Sequence, residues 1–419
     1  MPINYDKIKS PSFVLDEALL RKNLELIAAV QQEAGVEIIL ALKGFAMWSV
    51  FPFIKKYLSG ATASSLNEAR LIYHEMGCKA HTYAVAYSPD EFELMLRLSS
   101  HLTFNSIAQY ERFRPQIERF NAAFRPVSTE SADRSDAVAE AGLQRLENPA
   151  ADQPEPQIIP STAISCGIRV NPEYSEVQVA LYNPAAPGSR LGEVETAFKD
   201  GLPEGIEGLH FHTLCESTSY DLEKTLAAFE RRFGHLIPQL KWVNMGGGHL
   251  MTRKGYDIEH LIGLLKKFKD RWGVHVILEP GSAIAWETGV LVGTVLDIHE
   301  SRGVQTAILD LSFTCHMPDT LEMPYRPRII GATDPVPGKP TYRIGGVSCL
   351  SGDFMSEYSF EKELQVGDRL VFEDMMHYTM VKTSMFNGVR HPDICIWTEE
   401  GKLKTVRKFG YEDYRSRLS

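Results

Sequence analysis

The segment that decides the fold is Val36-Glu37-Ile38-Ile39-Leu40-Ala41-Leu42-Lys43-Gly44, an apolar run that stops at a lysine and a glycine. Such a run is typical of a buried strand, and it places Lys43 where that strand ends and a loop begins. Burial favours the neutral, nucleophilic form of a lysine, and neutral amines condense with carbonyl groups such as the aldehyde of pyridoxal phosphate. Position alone favours a simpler role for Lys43, with the side-chain stem along the strand and the ammonium in water. The rest of the chain decides between the two.

Eight β-like segments that end in small or polar residues follow one another at 36–42, 61–64, 81–86, 101–104, 164–170, 206–213, 241–245 and 274–279. Segments with helical spacing separate most of them, among them 219–236 and 257–271. Eight alternations of strand and helix predict an α/β fold, a (β/α)8 barrel with its chemistry at the carboxyl ends of the strands. A doubly wound sheet is the alternative, but its glycine-rich phosphate loop would follow the first strand, where Lys43 stands instead.

The alternation of strand-like and helix-like segments stops after the eighth strand-like segment. From about residue 285, short β-like stretches alternate with Gly and Pro turns, which predicts a C-terminal all-β domain. We expect a barrel over residues 16–284 and a β-domain made of 285–419 together with 1–15. Residues 121–160 interrupt the barrel with Ala, Pro, Glu and Asp, which predicts a flexible insertion on the face away from the chemistry.

The overall composition is that of a soluble globular enzyme. Of the 419 residues, 44% are hydrophobic and 23% are charged, and the net charge of −10 disfavours binding to nucleic acid or to anionic membranes. The first residues lack the apolar stretch of a secretory signal, and no segment approaches the roughly 18 uninterrupted apolar residues of a membrane span. We therefore expect a cytoplasmic protein whose six scattered cysteines are free thiols.

Glycine-rich and acidic motifs follow the last two predicted strands. Gly246, Gly247 and Gly248 come after the seventh strand, where their backbone N–H groups would approach an anion closely. The loops after strands seven and eight are the usual phosphate site of a barrel, so we interpret this run as a phosphate cradle rather than only a tight turn. Glu279 ends the eighth strand, where it would either hold a protonated pyridine nitrogen or cap a turn.

His210 and His212 alternate along the sixth strand and therefore share one of its faces. A pair with this spacing can bind a metal ion. Barrel metal hydrolases carry such a pair on the first strand, however, and no matching His or Asp set follows here, so we predict no metal. We favour an imidazole stacked on a cofactor ring for His212, which lies nearer the strand end, and a core position for His210.

These motifs, with others in the β-domain, resemble the fold-type III pyridoxal phosphate-dependent decarboxylases. That family contains eukaryotic-type ornithine decarboxylase and diaminopimelate decarboxylase, and it combines an alanine-racemase-like barrel with a β-domain. Within it, the resemblance is greatest to the carboxynorspermidine and carboxyspermidine decarboxylases and spans nearly the whole chain except 121–160. The motifs that carry it are Ala41-Leu42-Lys43, Gly208-Leu209-His210-Phe211-His212, Leu214-Cys215-Glu216, Gly246-Gly247-Gly248-His249, Cys315-His316-Met317-Pro318-Asp319, Leu321-Glu322-Met323-Pro324-Tyr325-Arg326-Pro327, Cys349-Leu350-Ser351-Gly352-Asp353, Tyr378 and Phe386-Asn387-Gly388.

The resemblance implies a role for each residue at the barrel mouth. Lys43 would bind pyridoxal phosphate as a Schiff base, His212 would stack on the cofactor ring, and Glu279 would pair with the pyridinium nitrogen. The residues that would hold the phosphate are Gly247, Gly248, Gly281 and Tyr378.

The resemblance also implies a head-to-tail homodimer with shared active sites. Cys349 and Asp353 of one subunit would enter the active site of the partner. Cys349 would there be catalytic, returning a proton to Cα after CO2 has left, whereas on its own it suits a small buried hydrophobic residue.

Departures from the wider family narrow the substrate. Diaminopimelate decarboxylases carry an arginine after Glu-Pro-Gly and a glutamate after the cysteine, where this chain has Ser282 and Leu350. In the closest subfamily we expect an acidic residue in place of Ser282. A long cationic amine tail needs paired charge in a partly dry cleft. The carboxylates that would bind such a tail are Glu216, Asp319, Glu322 and Asp353.

We therefore predict a decarboxylase that converts carboxynorspermidine or carboxyspermidine to norspermidine or spermidine in polyamine biosynthesis. The alternatives are a decarboxylase of another basic amino acid, such as diaminopimelate or ornithine, and a pyridoxal phosphate-dependent amino-acid racemase. A racemase would need a second acid or base on the opposite face of the ring, and the Cys349 motif disfavours it. A non-catalytic protein that only carries the cofactor is a further alternative. Such a protein would not need the long β-domain with Cys349 and Tyr378, so the sequence disfavours it.

Overall fold

The computed structural model describes residues 3–124, 162–177, 179, 182–322 and 325–419. The insertion expected at 121–160 lies outside the described residues, apart from 121–124. The described part of the chain contains two sheets of nine strand segments each, the first parallel and the second mixed.

The first sheet closes into a barrel. Its first strand consists of two short pieces, Glu37–Ile38 and Leu40–Ala41. The first piece pairs with the last strand, His275–Leu278, and the second pairs with Ala61–Ala63, so the ends of the sheet meet. The other strands, all parallel to their neighbours, are Ala80–Tyr83, Ser99–Phe104, Ser165–Arg169, Ile206–His210 and Trp242–Asn244. The (β/α)8 barrel predicted from the sequence is confirmed.

Several strands end earlier than the hydrophobic pattern predicts. The segment 206–213 forms a strand only to His210, and 81–86 only to Tyr83. The apolar residues beyond these points, such as Phe211 and Ala84, are buried all the same. Their burial comes from loops that pack over the carboxyl ends of the strands, so apolar character alone extends the predicted strand into the loop.

Capping residues mark the ends of the barrel helices, as Glu17–Ala34 illustrates. Asp16 accepts hydrogen bonds from the N–H groups of Ala18 and Leu19, and Gly35 ends the helix with a φ of 61°. The residues that it buries recur at helical spacing and are Leu20, Leu24, Ile27, Val30 and Ala34. The other barrel helices are Phe51–Ile54, Leu66–Leu71, Pro89–Leu98, Ile107–Ala122, Ser219–Phe233, Ile258–Trp272 and Ser282–Ala285.

The second sheet contains the C-terminal strands and the first strand of the chain. Ser12–Asp16 lies between Gly289–Ser301, to which it is antiparallel, and Asp393–Trp397, to which it is parallel. The other strands are Val304–Leu309, Ala332–Thr333, Thr341–Gly345, Phe354–Phe360, Arg369–Glu373 and Leu403–Arg407. Short helices at Phe313–His316, Asp319–Glu322 and Tyr411–Arg415 complete this part. Across the ranges that the structure describes, we find no helix long and apolar enough to cross a bilayer.

Two histidines stack inside the amino-terminal end of the barrel. His81 and His101 lie in neighbouring strands with their ring centroids 4.0 Å apart. Burial lowers the pKa of both, that of His101 to about 3. Glu37 raises the pKa of both histidines, but by less than burial lowers it. Both stacked histidines are therefore neutral in the folded protein at pH 7.

Acidification should destabilise the barrel through this pair. A histidine in the unfolded chain titrates near pH 6.5, so the unfolded state binds protons that the folded state excludes, and stability is lost as pH falls from about 6.5 toward 3. Urea denaturation at pH 7 and at pH 5 measures how much unfolding free energy each protein loses. We expect this loss to be about 2 kcal/mol smaller in His101→Gln than in the wild type. An equal fall would contradict this, and His299→Gln, at an exposed position, is the matched control.

Candidate active site

A cavity of about 1030 Å³ lies between the carboxyl ends of the barrel strands and the second sheet. Barrel residues and residues of the second domain both line it. Of the residues predicted from the sequence, those that line the cavity are Lys43, His212, Glu216, Gly247, Gly248, Glu279, Gly281, Asp319 and Tyr378. Ser282 lines it as well. Glu322, Cys349 and Asp353 lie outside the lining.

Lys43 and His212 are in contact at the mouth of the barrel. The N–H of Gly247 donates to Nδ1 of His212 at 2.8 Å, so the proton of the neutral ring is on Nε2. Nε2 lies 3.1 Å from the Lys43 Nζ atom, and an Nε2–H can donate only to an uncharged amine. Burial and the nearby charge of Arg169 lower the pKa of Lys43, although its side chain is open to the cavity. The hydrogen bonds therefore agree with a neutral, nucleophilic lysine.

Glu279 is a buried carboxylate at the end of the last barrel strand. Burial opposes its ionisation, but contacts with His210 and Asn244 outweigh this and lower the pKa of Glu279 to about 2. Asn244 Nδ2 donates to Oε1 at 2.7 Å, whereas His210 Nε2 stays 3.6 Å from Oε2, beyond hydrogen-bond range. Oε2 thus remains available to a donor on a ligand. Burial lowers the pKa of His210, so this neighbour is a neutral core histidine.

The glycine run forms a loop into which side chains would not fit. Gly246 and Gly248 have φ angles of 67° and 89°. A Cβ atom on Gly247 would come within 2.4 Å of the Glu279 carbonyl oxygen, and one on Gly248 within 2.3 Å of the Leu214 carbonyl oxygen. Among the described residues, the N–H groups of Gly248 and Gly281 find no acceptor in the chain. Unpaired N–H groups at a cavity are suited to binding an anion.

Tyr378 ties the second domain to the loop after Lys43. Its N–H donates to the Gly44 carbonyl oxygen at 2.7 Å, and its φ is 51°. Burial raises the pKa of Tyr378, so its hydroxyl remains a donor at neutral pH. Tyr378 and the glycine loop both line the cavity.

Arg169 is a site residue that the sequence analysis did not identify. Its side chain is buried, its guanidinium lies 4.6 Å from the centre of the Tyr83 ring, and it donates to the His212 carbonyl oxygen at 3.1 Å. It lines the cavity and lowers the pKa of Lys43. The signal in the sequence is a cation at the end of the apolar segment 164–170.

An acidic and aromatic wall faces the barrel mouth. Burial raises the pKa of Glu216, and Asp374 and Asp319 raise it further. Among the described residues, the Glu216 carboxylate has no ion-pair partner. His377 Nε2 lies 3.2 Å from Asp374 Oδ2, and its ring stacks on Trp286 with 5.3 Å between centroids. Asp374, His377 and Trp286 were not predicted, because separate loops bring them to the cavity.

Asp319 and Glu322 bind a lysine of the chain itself. The ammonium of Lys382 donates to both carboxylates. Asp319 and Lys382 line the cavity, while Glu322 lies behind them. Two of the carboxylates predicted to bind an amine tail therefore already hold one cation.

Cys349 and Asp353 lie on a loop of the second domain outside the cavity. Cys349 is exposed, and its N–H donates to Asn387 Oδ1 at 2.9 Å. Asp353 is buried and accepts hydrogen bonds from the N–H groups of Thr314 and Ser348 at 3.0 and 3.1 Å. Within its own chain, the Asp353 carboxylate holds the loop that carries Cys349. The family resemblance predicts that Cys349 and Asp353 enter the active site of a partner subunit, and this remains a prediction.

Comparisons with known proteins agree with this geometry. A family model described as "Pyridoxal-dependent decarboxylase, C-terminal sheet domain" matches residues 12–376. Carboxyaminopropylagmatine decarboxylase of Synechocystis sp. is 47% identical over 412 residues, 98% of this chain and 96% of that protein. Carboxynorspermidine/carboxyspermidine decarboxylase of Campylobacter jejuni is 39% identical, with 99% of each chain covered.

Solved structures give the same result for the fold. Campylobacter jejuni carboxynorspermidine decarboxylase, complexed with norspermidine, has a TM-score of 0.81 and 38% identity over 98% of this chain and 100% of that chain. Helicobacter pylori diaminopimelate decarboxylase has a TM-score of 0.72 at 18% identity, which shows a shared fold only. The resemblance inferred from the sequence motifs is confirmed.

Proposed function

This chain belongs to the family of pyridoxal-dependent decarboxylases, and we propose that it decarboxylates carboxynorspermidine or carboxyspermidine to norspermidine or spermidine. The observation that carries the proposal is the cavity itself, in which a neutral lysine faces a wall of carboxylates. The lysine serves the reacting amino-acid end, and the carboxylates serve a cationic tail. Two relatives with full-length similarity act, by their names, on substrates of this kind. The reaction would place the enzyme in polyamine biosynthesis.

The residues at the barrel mouth fit pyridoxal phosphate. When bound, this cofactor supplies an aldehyde that reacts with amines and a ring that accepts the electron pair released with CO2. Lys43 offers the amine, Glu279 offers a buried anion to the ring nitrogen, and Gly248 and Gly281 offer unpaired N–H groups to the phosphate. Tyr378, which lines the same cavity, offers a protonated hydroxyl.

The chain's own groups prepare Lys43 for this chemistry. His212 Nε2–H donates to the lone pair of Nζ and so holds the amine at the barrel mouth. Arg169 keeps a fixed positive charge close by, which disfavours protonation of Lys43. Glu279 stays ionised because its pKa of about 2 lies far below neutral pH. The site therefore presents a neutral base and a fixed anion at neutral pH.

We propose that the proton donor to Cα is Cys349 of a second subunit in a homodimer. An apolar patch surrounds this exposed cysteine, which favours contact with another surface. Its large side chains are Val347, Leu350, Phe354 and Phe386, each between 39% and 46% exposed. Since Cys349 lies outside the cavity of its own chain, it can act only in the cavity of another.

Mixing two inactive variants tests the shared site. Cys349→Ala should keep the cofactor, because it lies outside the cavity, but lose turnover or fidelity, and Lys43→Ala should lack an attachment point. A 1:1 mixture that exchanges subunits forms half mixed dimers, each with one intact site, so about a quarter of wild-type activity should return. Cys395→Ala, at a buried thiol in the second sheet, is the matched control. No recovery in dimers shown by mass to be mixed would contradict shared sites.

A second candidate substrate is carboxyaminopropylagmatine. The relative that acts on it by name is 47% identical to this chain. Trp286 lines the cavity and stacks on His377, which in turn contacts Asp374, and a guanidinium combines stacking with paired hydrogen bonds to a carboxylate better than an ammonium does. The second candidate ends in a guanidinium, whereas the substrates of the first end in an ammonium.

The deciding experiment offers the purified enzyme five amino acids in parallel and measures CO2. They are carboxynorspermidine, carboxyspermidine, carboxyaminopropylagmatine, diaminopimelate and ornithine. We expect the highest kcat/KM with one of the first two. A preference for the guanidino compound would favour the second candidate, and activity confined to diaminopimelate or ornithine would overturn both. D-amino acid formed from an L-amino acid without CO2 would indicate a racemase.

A further inference from the structure

The ammonium of Lys382 lies between the carboxylate of Asp319, which lines the cavity, and that of Glu322, which lies outside the lining. This ammonium donates to Asp319 and Glu322, and the exposed fractions of the three side chains are 32%, 16% and 48%. The residues belong to two short helices, Asp319–Glu322 and Met380–Lys382. The second helix begins two residues after Tyr378, and the N–H of Lys382 donates to the Tyr378 carbonyl oxygen at 3.1 Å. The lysine is therefore fixed at both its backbone and its ammonium.

The two lysines of the cavity have opposite protonation. Burial alone would lower the pKa of Lys382, but the hydrogen bonds to Asp319 and Glu322 outweigh burial and raise it. The pKa of Lys43 is lowered instead. The hydrogen bond from His212 suits an uncharged amine on Lys43, whereas the two carboxylates around Lys382 suit an ammonium.

The charges around Lys382 leave room for one more cation. One ammonium between two carboxylates leaves a net charge of −1, and the carboxyl groups of Glu216 and of Asp374, which contacts His377 at 3.2 Å, line the same cavity. A terminal cation that enters the cavity must share these carboxylates with Lys382 or displace it. A tail without a cation gains nothing from them.

We propose that Lys382 is a specificity-determining residue that competes with the distal cation of the substrate for Asp319 and Glu322. This proposal rests on the proposed function, because it concerns the tail of the same substrate. The competition weakens the binding of every cationic tail. It therefore selects tails whose charge is strong enough, and far enough from the reacting end, to overcome it.

The test compares two substitutions with opposite expected signs. Lys382→Met keeps the length of the side chain but removes the competitor, so KM for carboxynorspermidine should fall about three- to tenfold. Lys382→Arg holds both carboxylates through a planar fork, so KM should rise by a similar factor. The effect should lie in KM more than in kcat.

A matched control separates competition from a general loss of positive charge. Lys339→Met removes a lysine that pairs with Glu361 at 2.6 Å outside the cavity, and its KM should equal that of the wild type. A KM for Lys382→Met that is unchanged or higher would overturn the proposal. If Lys382→Met fails to fold, Lys382→Arg tests the proposal instead. A KM of Lys382→Arg at or below the wild-type value would overturn the proposal.

Calorimetric titration of the holoenzyme with norspermidine tests the proposal without turnover. The Kd should follow the same order, lowest in Lys382→Met and highest in Lys382→Arg. If the wild type releases CO2 from none of the cation-tailed amino acids, the proposed function fails, while this titration still reports whether Lys382 competes with a polyamine. An equal Kd in all variants, beside normal turnover in the wild type, would refute only the competition.

Discussion

Lys43→Ala should lose the yellow chromophore that borohydride reduces, and its kcat should fall by at least about 10⁴-fold. Lys43 is the cavity amine that burial and Arg169 keep neutral and that His212 orients through a contact of 3.1 Å. Without it, the cofactor has no covalent attachment and the reacting amine has nothing to displace. Absorbance spectra before and after borohydride, together with CO2 release, measure both effects.

Lys79→Ala is the matched control for this prediction. Lys79 is another lysine whose pKa burial lowers, to about 8, and it lies outside the cavity. A low pKa alone therefore does not define the attachment site, and Lys79→Ala should keep the chromophore. A borohydride-reducible chromophore that persists in Lys43→Ala would contradict the assignment, as would its loss in Lys79→Ala in a folded protein.

Glu279→Gln should lower kcat by about 10²- to 10³-fold while KM changes little. The carboxylate is buried, ionised because its pKa is about 2, and free on Oε2 to face a donor. Glutamine preserves the volume but removes the charge that stabilises a protonated ring nitrogen. Because the acidic wall that would bind the tail is separate, the loss should lie in kcat, measured by steady-state CO2 release.

Glu287→Gln provides the comparison for Glu279. Its carboxylate also lines the cavity, but it pairs with the exposed Arg328 at 3.1 Å. Removal of this charge at the rim should leave kcat close to the wild-type value. A Glu279→Gln enzyme whose kcat stays within about threefold of the wild type would show that the carboxylate does not stabilise the reacting state.

The sequence located the barrel mouth because strand ends are local features. Lys43, His212, Gly247, Gly248 and Glu279 each follow an apolar segment, and parallel strands in a closed barrel bring their carboxyl ends together. The order of strands then places these residues in one cavity without further information.

Residues whose function depends on contacts between distant loops were harder to predict. Asp374, His377 and Trp286 reach the cavity only because the second sheet packs over the barrel. Arg169 was visible as a charge at a strand end, but nothing local indicated that Tyr83 and the His212 carbonyl group would hold it. Lys382 had no local signal, since its partners Asp319 and Glu322 lie about sixty residues earlier.

The amino-acid sequence was enough to predict the type of fold, the reactive lysine, the glycine loop and the carboxylate at the end of the last strand. Strand periodicity and backbone geometry act over a few residues, so these features can be recognised locally. Only the tertiary structure decided the charge state of Lys43 and the pairing of Asp319 and Glu322 with Lys382. Protonation and ion pairing depend on burial and on distances between residues far apart in the chain, and folding alone sets both.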